Sequence, residues 1–190
     1  MFGFCFFVIS NLLIILAMMW FCFIVARVLI SNEYRKYPPF IPSFGKEKHV
    51  IVNEVSKFLK TSKKQLTILD PGCGTGTLLL KLAKKFPNHK FVGIEWSTFF
   101  GIVCKIRCYR FKNIEFLCDD MFRYDFGQAD VVVCFLMEPL MKKFGEKILA
   151  DNKKEQIIFS NTFEIPNLPL VKEIKTGKGI LFKNIYIYKL

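Results

Sequence analysis

The sequence predicts an α/β fold: a doubly wound sheet with helices on both faces, closed by a C-terminal antiparallel hairpin and preceded by one transmembrane helix. Three observations predict it. Strand and helix signals alternate from residue 46 onward, a glycine-rich turn joins the first strand to a helix, and the first thirty residues hold a long run without charge. Of the 190 residues, setting that run aside leaves about 150 to 160, the size of one compact domain.

The stretch FGFCFFVISNLLIILAMMWFCFIVA, Phe2 to Ala26, carries no charged residue. About 20 helical residues cross a bilayer core, so the run is long enough to span with some tilt. It lacks the basic start, the shorter apolar core and the small-x-small site of a cleaved signal. Positive residues follow it (Arg27, Arg35, Lys36, Lys46, Lys48), which predicts a single-pass membrane protein with its C-terminal domain in the cytoplasm. The division expected is 1–30 anchor, 31–45 proline-rich linker, 46–190 domain. In YRKYPPFIP, Pro38, Pro39 and Pro42 remove backbone donors and force extended neighbours.

Each element of the domain has its own signal. Lys46 to Lys60 places Val50, Ile51, Val55, Phe58 and Leu59 on one helical face. A strand Leu66 to Leu69 follows, then a helix Gly76 to Lys85, a strand Lys90 to Ile94, a helix Ser97 to Arg110 and a strand Ile114 to Cys118. The continuous apolar run Ala129 to Met137 reads as a strand buried on both faces, near the sheet centre. A helix Pro139 to Leu149 and a strand Glu155 to Phe163 come next. Leu170 to Lys175 and Ile180 to Tyr188 flank the turn Thr176-Gly177-Lys178-Gly179 and form the hairpin.

Composition excludes some chemistry and leaves the partner open. Lys and Arg number 28 against 16 Asp and Glu, a net charge of +12, which attracts nucleic acid, anionic lipid or acidic proteins. Neither tryptophan, Trp20 or Trp96, belongs to a basic-aromatic ladder, so no specific nucleic-acid site is expected. The seven cysteines contain no C-x-x-C pair, which argues against a zinc site or a disulfide framework. Cys104 and Cys108, four apart, share a helix face and read as buried thiols.

The chemistry concentrates in TILDPGCGTG, Thr67 to Gly76. A strand ends at Asp70, and Gly72, Gly74 and Gly76 let the backbone turn tightly beneath a ligand before a helix begins. Thr77 stands where a dinucleotide fingerprint has its third glycine. In KFVGIEWS the acid Glu95 lies about twenty residues after the loop, where a carboxylate can accept from both ribose hydroxyls. Asp119-Asp120 ends the third predicted strand, so Asp70, Glu95 and Asp120 would line one crevice at the carboxyl edge of the sheet.

These residues resemble the class I S-adenosylmethionine-dependent methyltransferases, Rossmann-like enzymes whose first motif looks like Asp70-Pro71-Gly72-Cys73-Gly74-Thr75-Gly76. The resemblance covers most of residues 40–190. It implies S-adenosylmethionine as cofactor, with the glycine loop, Cys73 included, at the methionine moiety, Glu95 and the adjoining Trp96 at the ribose, and Asp120 with Met121 at the adenine. A narrower resemblance, in the N-terminal helix, the lead-in Pro39-Phe40-Ile41-Pro42-Ser43 and the basic hairpin, is to the membrane-anchored lysine methyltransferases of the ATP synthase c-subunit. It implies a protein lysine as acceptor and makes Ser43 either a cofactor contact or a helix cap. Glu138, in Phe135-Leu136-Met137-Glu138-Pro139, sits where such enzymes place the acceptor, or serves as a first-turn helix acid. Alternatives that use the same cofactor are a membrane-soluble lipid or quinone, and RNA.

Overall fold

A computed structural model describes residues 10–23, 46–151, 153–176 and 184–190. The chain divides into two compact units, Met1–Ile41 and Pro42–Leu190.

In the first unit, residues 10–23 form a helix, α1. No described helix is long and apolar enough to cross a membrane. The rest of the expected anchor, with the linker and Ser43, lies outside the described residues. The apolar side chains of α1 face outward all round, Leu13 at 61 % and Trp20 at 70 % exposure.

The second unit has the element order α2 (Lys46–Thr61), β1 (Thr67–Pro71), α3 (Thr77–Lys85), β2 (Lys90–Ile94), α4 (Thr98–Cys108), β3 (Ile114–Leu117), β4 (Val131–Cys134), α5 (Glu138–Asp151), β5 (Ile157–Thr162), β6 (Leu170–Lys175) and β7 (Asn184–Lys189). The seven strands form one sheet in the order β3-β2-β1-β4-β5-β7-β6. β1 to β5 are parallel, and β7 runs antiparallel between β5 and β6. The expected α/β sheet and the antiparallel pairing of the last two strands are both present.

Both faces of the sheet are covered, which is why the central strands read as unbroken apolar runs. On one face Leu69, Val132, Ile158 and Tyr188 pack with Phe126, Met141, Phe144 and Ile148. On the other, Ile68, Phe91, Val131, Val133 and Phe159 meet Val55 and Leu59 of α2 and Leu79 and Leu82 of α3. β4 lies at the sheet centre but spans four residues, less than the Ala129 to Met137 run. Asp130, inside that run, accepts from Thr67 N and pairs with Lys153 Nζ at 2.9 Å, so its polar side chain ends the strand. Phe135 to Met137 leave the ladder and form the connection into α5.

Parallel pairing puts the carboxyl ends of β1, β2, β3, β4 and β5 along one edge. The glycine loop, Glu95, the segment after β4 and the turn after β5 therefore collect there.

Candidate active site

The loop after β1 is built by the backbone of its neighbour. Gly72 N and Cys73 N both donate to Ile94 O, at 2.8 and 2.9 Å, which folds the loop over the tip of β2. Gly72, Gly74 and Gly76 have φ of +79°, +55° and +70°. The requirement is sharpest at Gly76, the N-cap of α3, where a Cβ would stand 2.6 Å from Cys104 Sγ and 3.3 Å from Cys108 Sγ. Only glycine fits both the left-handed backbone and that close approach.

Glu95, 5 % exposed, leaves β2 and turns its carboxylate back on the loop. It accepts from Gly74 N and from Ser97 N, each at 2.9 Å, and Trp96 N supplies a third backbone hydrogen bond. Burial raises the carboxyl above its ordinary range, and the three amides oppose that rise by favouring the charged form. Asp70, 6 % exposed, has no such amides. Desolvation first, and then the Glu95 charge, push its pKa up to about 8.

Asp120 caps the short turn Met121–Arg123 by accepting from Phe122 N at 3.0 Å, and Met121 is buried beneath it. Asp119 instead pairs outward with Arg123 at 3.2 Å. The structure thus links Gly74, Glu95, Trp96 and Ser97 by hydrogen bonds, sets Asp70 beside them, and puts Asp120 and Met121 past the end of the adjacent β3. Cys73 shares a 3.9 Å sulfur contact with Cys104.

Several residues that shape the site carry no motif. Arg107 on α4 donates to Thr75 O at 2.6 Å and to Thr77 Oγ1 at 3.0 Å, clamping the far side of the loop. Cys104 and Cys108, 3.7 Å apart, form the floor under Gly76. The Cys108 thiol is pushed well above its ordinary range, first by its hydrogen bond with Cys104 and then by burial, so the pair are packing groups rather than nucleophiles. A Cβ on Gly72 would meet Leu136 at 3.1 Å, so the segment after β4 abuts the loop.

Beside that segment lies the end of β5, since Ser160 pairs with Cys134 in the ladder. There Asn161 Oδ1 and Thr162 Oγ1 are buried without a hydrogen-bond partner among the described residues. Thr162 also has φ +84°, a conformation a β-branched residue rarely adopts, at a strain of about 1–3 kcal/mol. Two buried polar oxygens without a partner among the described residues, next to a strained backbone, single out this strand end. Only their place at the end of a strand was legible in the sequence. Glu138 lies at the exposed first turn of α5, the helix-acid alternative.

The sheet order, the glycine loop and the buried acid after β2 define an S-adenosylmethionine-dependent methyltransferase domain. The residues fit that cofactor: a loop of three positive-φ glycines after β1 and a buried carboxylate at the strand edge. A family model described as the ANTKMT methyltransferase domain matches residues 70–172, and the chain belongs to that family. A protein-lysine N-methyltransferase of Saccharolobus islandicus is 26% identical over 165 residues, 82% of this chain and 96% of that protein. A carboxy-S-adenosyl-L-methionine synthase of Helicobacter hepaticus is 33% identical over 96 residues, 49% of this chain and 40% of that protein's length. The crystal structure of an RNA methyltransferase from Salinibacter ruber, in complex with S-adenosyl-L-homocysteine, matches with a TM-score of 0.65 at 16% identity, over 78% of this chain and 93% of that one.

Proposed function

We propose that this protein methylates the side-chain amine of lysine on a membrane-associated protein. The observation that carries the reading is the pair of unpartnered acceptors, Asn161 Oδ1 and Thr162 Oγ1, at the edge that also holds the glycine loop. A lysine ammonium is three donors and no acceptor, the complement of such a pair. The match to a protein-lysine N-methyltransferase over nearly its whole length supports the same class of acceptor.

The cofactor supplies an electrophilic methyl group on sulfur. Gly72, Cys73, Gly74 and Gly76 would let the backbone approach it, Glu95 with Trp96 would hold the ribose, and Asp120 with Met121 would border the adenine. A positively charged ligand bound beside Asp70 would favour its carboxylate, and the proton held there would leave to solvent. Asn161 and Thr162 would hold the amine in place, and alignment in a dry pocket is the main catalytic requirement of such a transfer. Burial there also lowers the ammonium pKa and favours the neutral nucleophile.

The charge-free run and the outward apolar faces of α1 support membrane attachment, with the domain in the cytoplasm. From Ser31 to Pro42 the linker spans no more than about 40 Å, which would keep the site near the bilayer.

The test incubates membranes from cells lacking the protein with labelled cofactor and purified enzyme, then separates protein, lipid and RNA. Label on lysine, reduced at least tenfold by Asn161→Leu with cofactor affinity unchanged, is the expected result. Label confined to lipid or RNA would overturn the assignment of acceptor while leaving the enzyme class intact.

A further inference from the structure

The helix that holds the cofactor loop has a second face that nothing in the site uses. Its inner side is tightly packed: Gly101, Cys104 and Cys108 are buried, and a Cβ on Gly101 would lie 3.2 Å from Phe116 and Cys118. Its outer side carries Phe99, Ile102, Ile106 and Tyr109, exposed by 68 %, 56 %, 64 % and 71 %. Steps of three, four and three at about 100° per residue set these four in one stripe roughly 80° wide. A helix apolar on both sides is ordinarily buried on both sides.

Charge around the stripe indicates what covers it. Lys105 flanks one margin, Arg107 and Arg110 the other, and Lys112 follows; no acidic residue occurs between Ser97 and Asn113. Arg110 lies over the Tyr109 ring, 5.2 Å from its centroid, so a cation and an aromatic stand together at the margin. An apolar strip with aromatic and aliphatic tips between rows of Lys and Arg is the pattern of a helix lying in the interface of an anionic bilayer, apolar side in the acyl boundary and cations at the phosphates. A lipid surface also accounts for the outward apolar side chains of α1 without a second kind of partner.

We infer that the outer face of α4 seats the methyltransferase domain on an anionic lipid surface, through Phe99, Ile102, Ile106 and Tyr109 rimmed by Lys105, Arg107 and Arg110. The contact is separate from any N-terminal anchor and does not depend on which molecule is methylated. Because Arg107, Cys104 and Cys108 of the same helix hold Thr75 and Gly76, seating α4 fixes the cofactor loop relative to the lipid surface.

The experiment uses the full chain in vesicles and reads amide hydrogen exchange over residues 98–110, so that attachment through the N-terminal segment does not mask the result. In vesicles of phosphatidylglycerol and phosphatidylcholine, exchange there should be at least threefold slower than in phosphatidylcholine alone. The double variant Ile102→Glu with Ile106→Glu should lose that difference while binding cofactor normally by calorimetry, since both positions already face solvent. Lys105→Ala should shrink the difference and make what remains less salt-sensitive. Equal exchange in the two vesicle types would overturn the inference. So would protection that appears without lipid and grows with protein concentration, because a second copy of the chain would then occupy the stripe.

Discussion

Two buried carboxyl groups at this edge of the sheet differ in the count of amides around each. Glu95 has three backbone donors and Asp70 has none. For Asp70 the linkage sign follows directly. Between the ordinary value of 3.8 and the folded value of about 8, the folded chain holds a proton the unfolded chain has released, so stability falls as pH rises and levels off above 8. Asp70→Asn removes that dependence. Its thermal stability relative to the parent should rise between pH 5 and pH 8, by up to about 1.4 kcal/mol per pH unit, measured by calorimetric melts of both proteins. A constant gap across the range would mean that Asp70 is ionised in the fold. The sequence made the identity of both acids legible, because strand ends and glycine spacing are local. The difference between them was not legible, since it depends on which amides the folded loop directs at each oxygen. Asn161 and Thr162 were hidden for a similar reason: an orphaned acceptor is defined by what the fold fails to bring near it.

Among the elements, α3 and α4 are joined through the loop between β1 and α3. Gly76→Ala would strain a left-handed residue by about 1–2 kcal/mol and push Cβ against Cys104, at a further cost of about 1–3 kcal/mol. Chemical denaturation should therefore show a loss of about 2–4 kcal/mol. In the Cys104→Ala background the same substitution should cost less, by the share due to the sulfur contact, while the backbone share stays. Equal costs in both backgrounds would remove Cys104 from the account. Element boundaries followed from periodicity except at β4: Asp130, its carboxylate engaged by Thr67 and Lys153, bounds the strand at its start, and Phe135 to Met137 leave it at its end. The spacing of Cys104 and Cys108 gave their shared face, but not that Gly76 would rest on it. The outward stripe of α4 was equally hidden, because an apolar residue in sequence gives no sign of which face remains open.

At the scale of the whole molecule, alternation of strand and helix made the parallel core legible, and a central place for β4 followed from its apolar character. The position of β7 did not follow, because a hairpin signal fixes which strands pair but not which of them meets the rest of the sheet. β7 lies between β5 and β6, and Leu190 exchanges hydrogen bonds with Glu155 and Gln156 at 2.7 and 3.0 Å. That order has a consequence for biosynthesis. The chain is made from β1 towards β7, yet β6 has no partner in the sheet until β7 exists, and the open edge of β5 must wait for it as well. A ribosome-bound chain stopped just after Lys175 should expose two unpaired strand edges and be cut readily by protease between residues 157 and 175, whereas one released after Leu190 should resist. The cell must guard that edge until β7 has emerged, so an enzyme assembled in this order would depend on chaperone cover between the synthesis of β5 and that of β7.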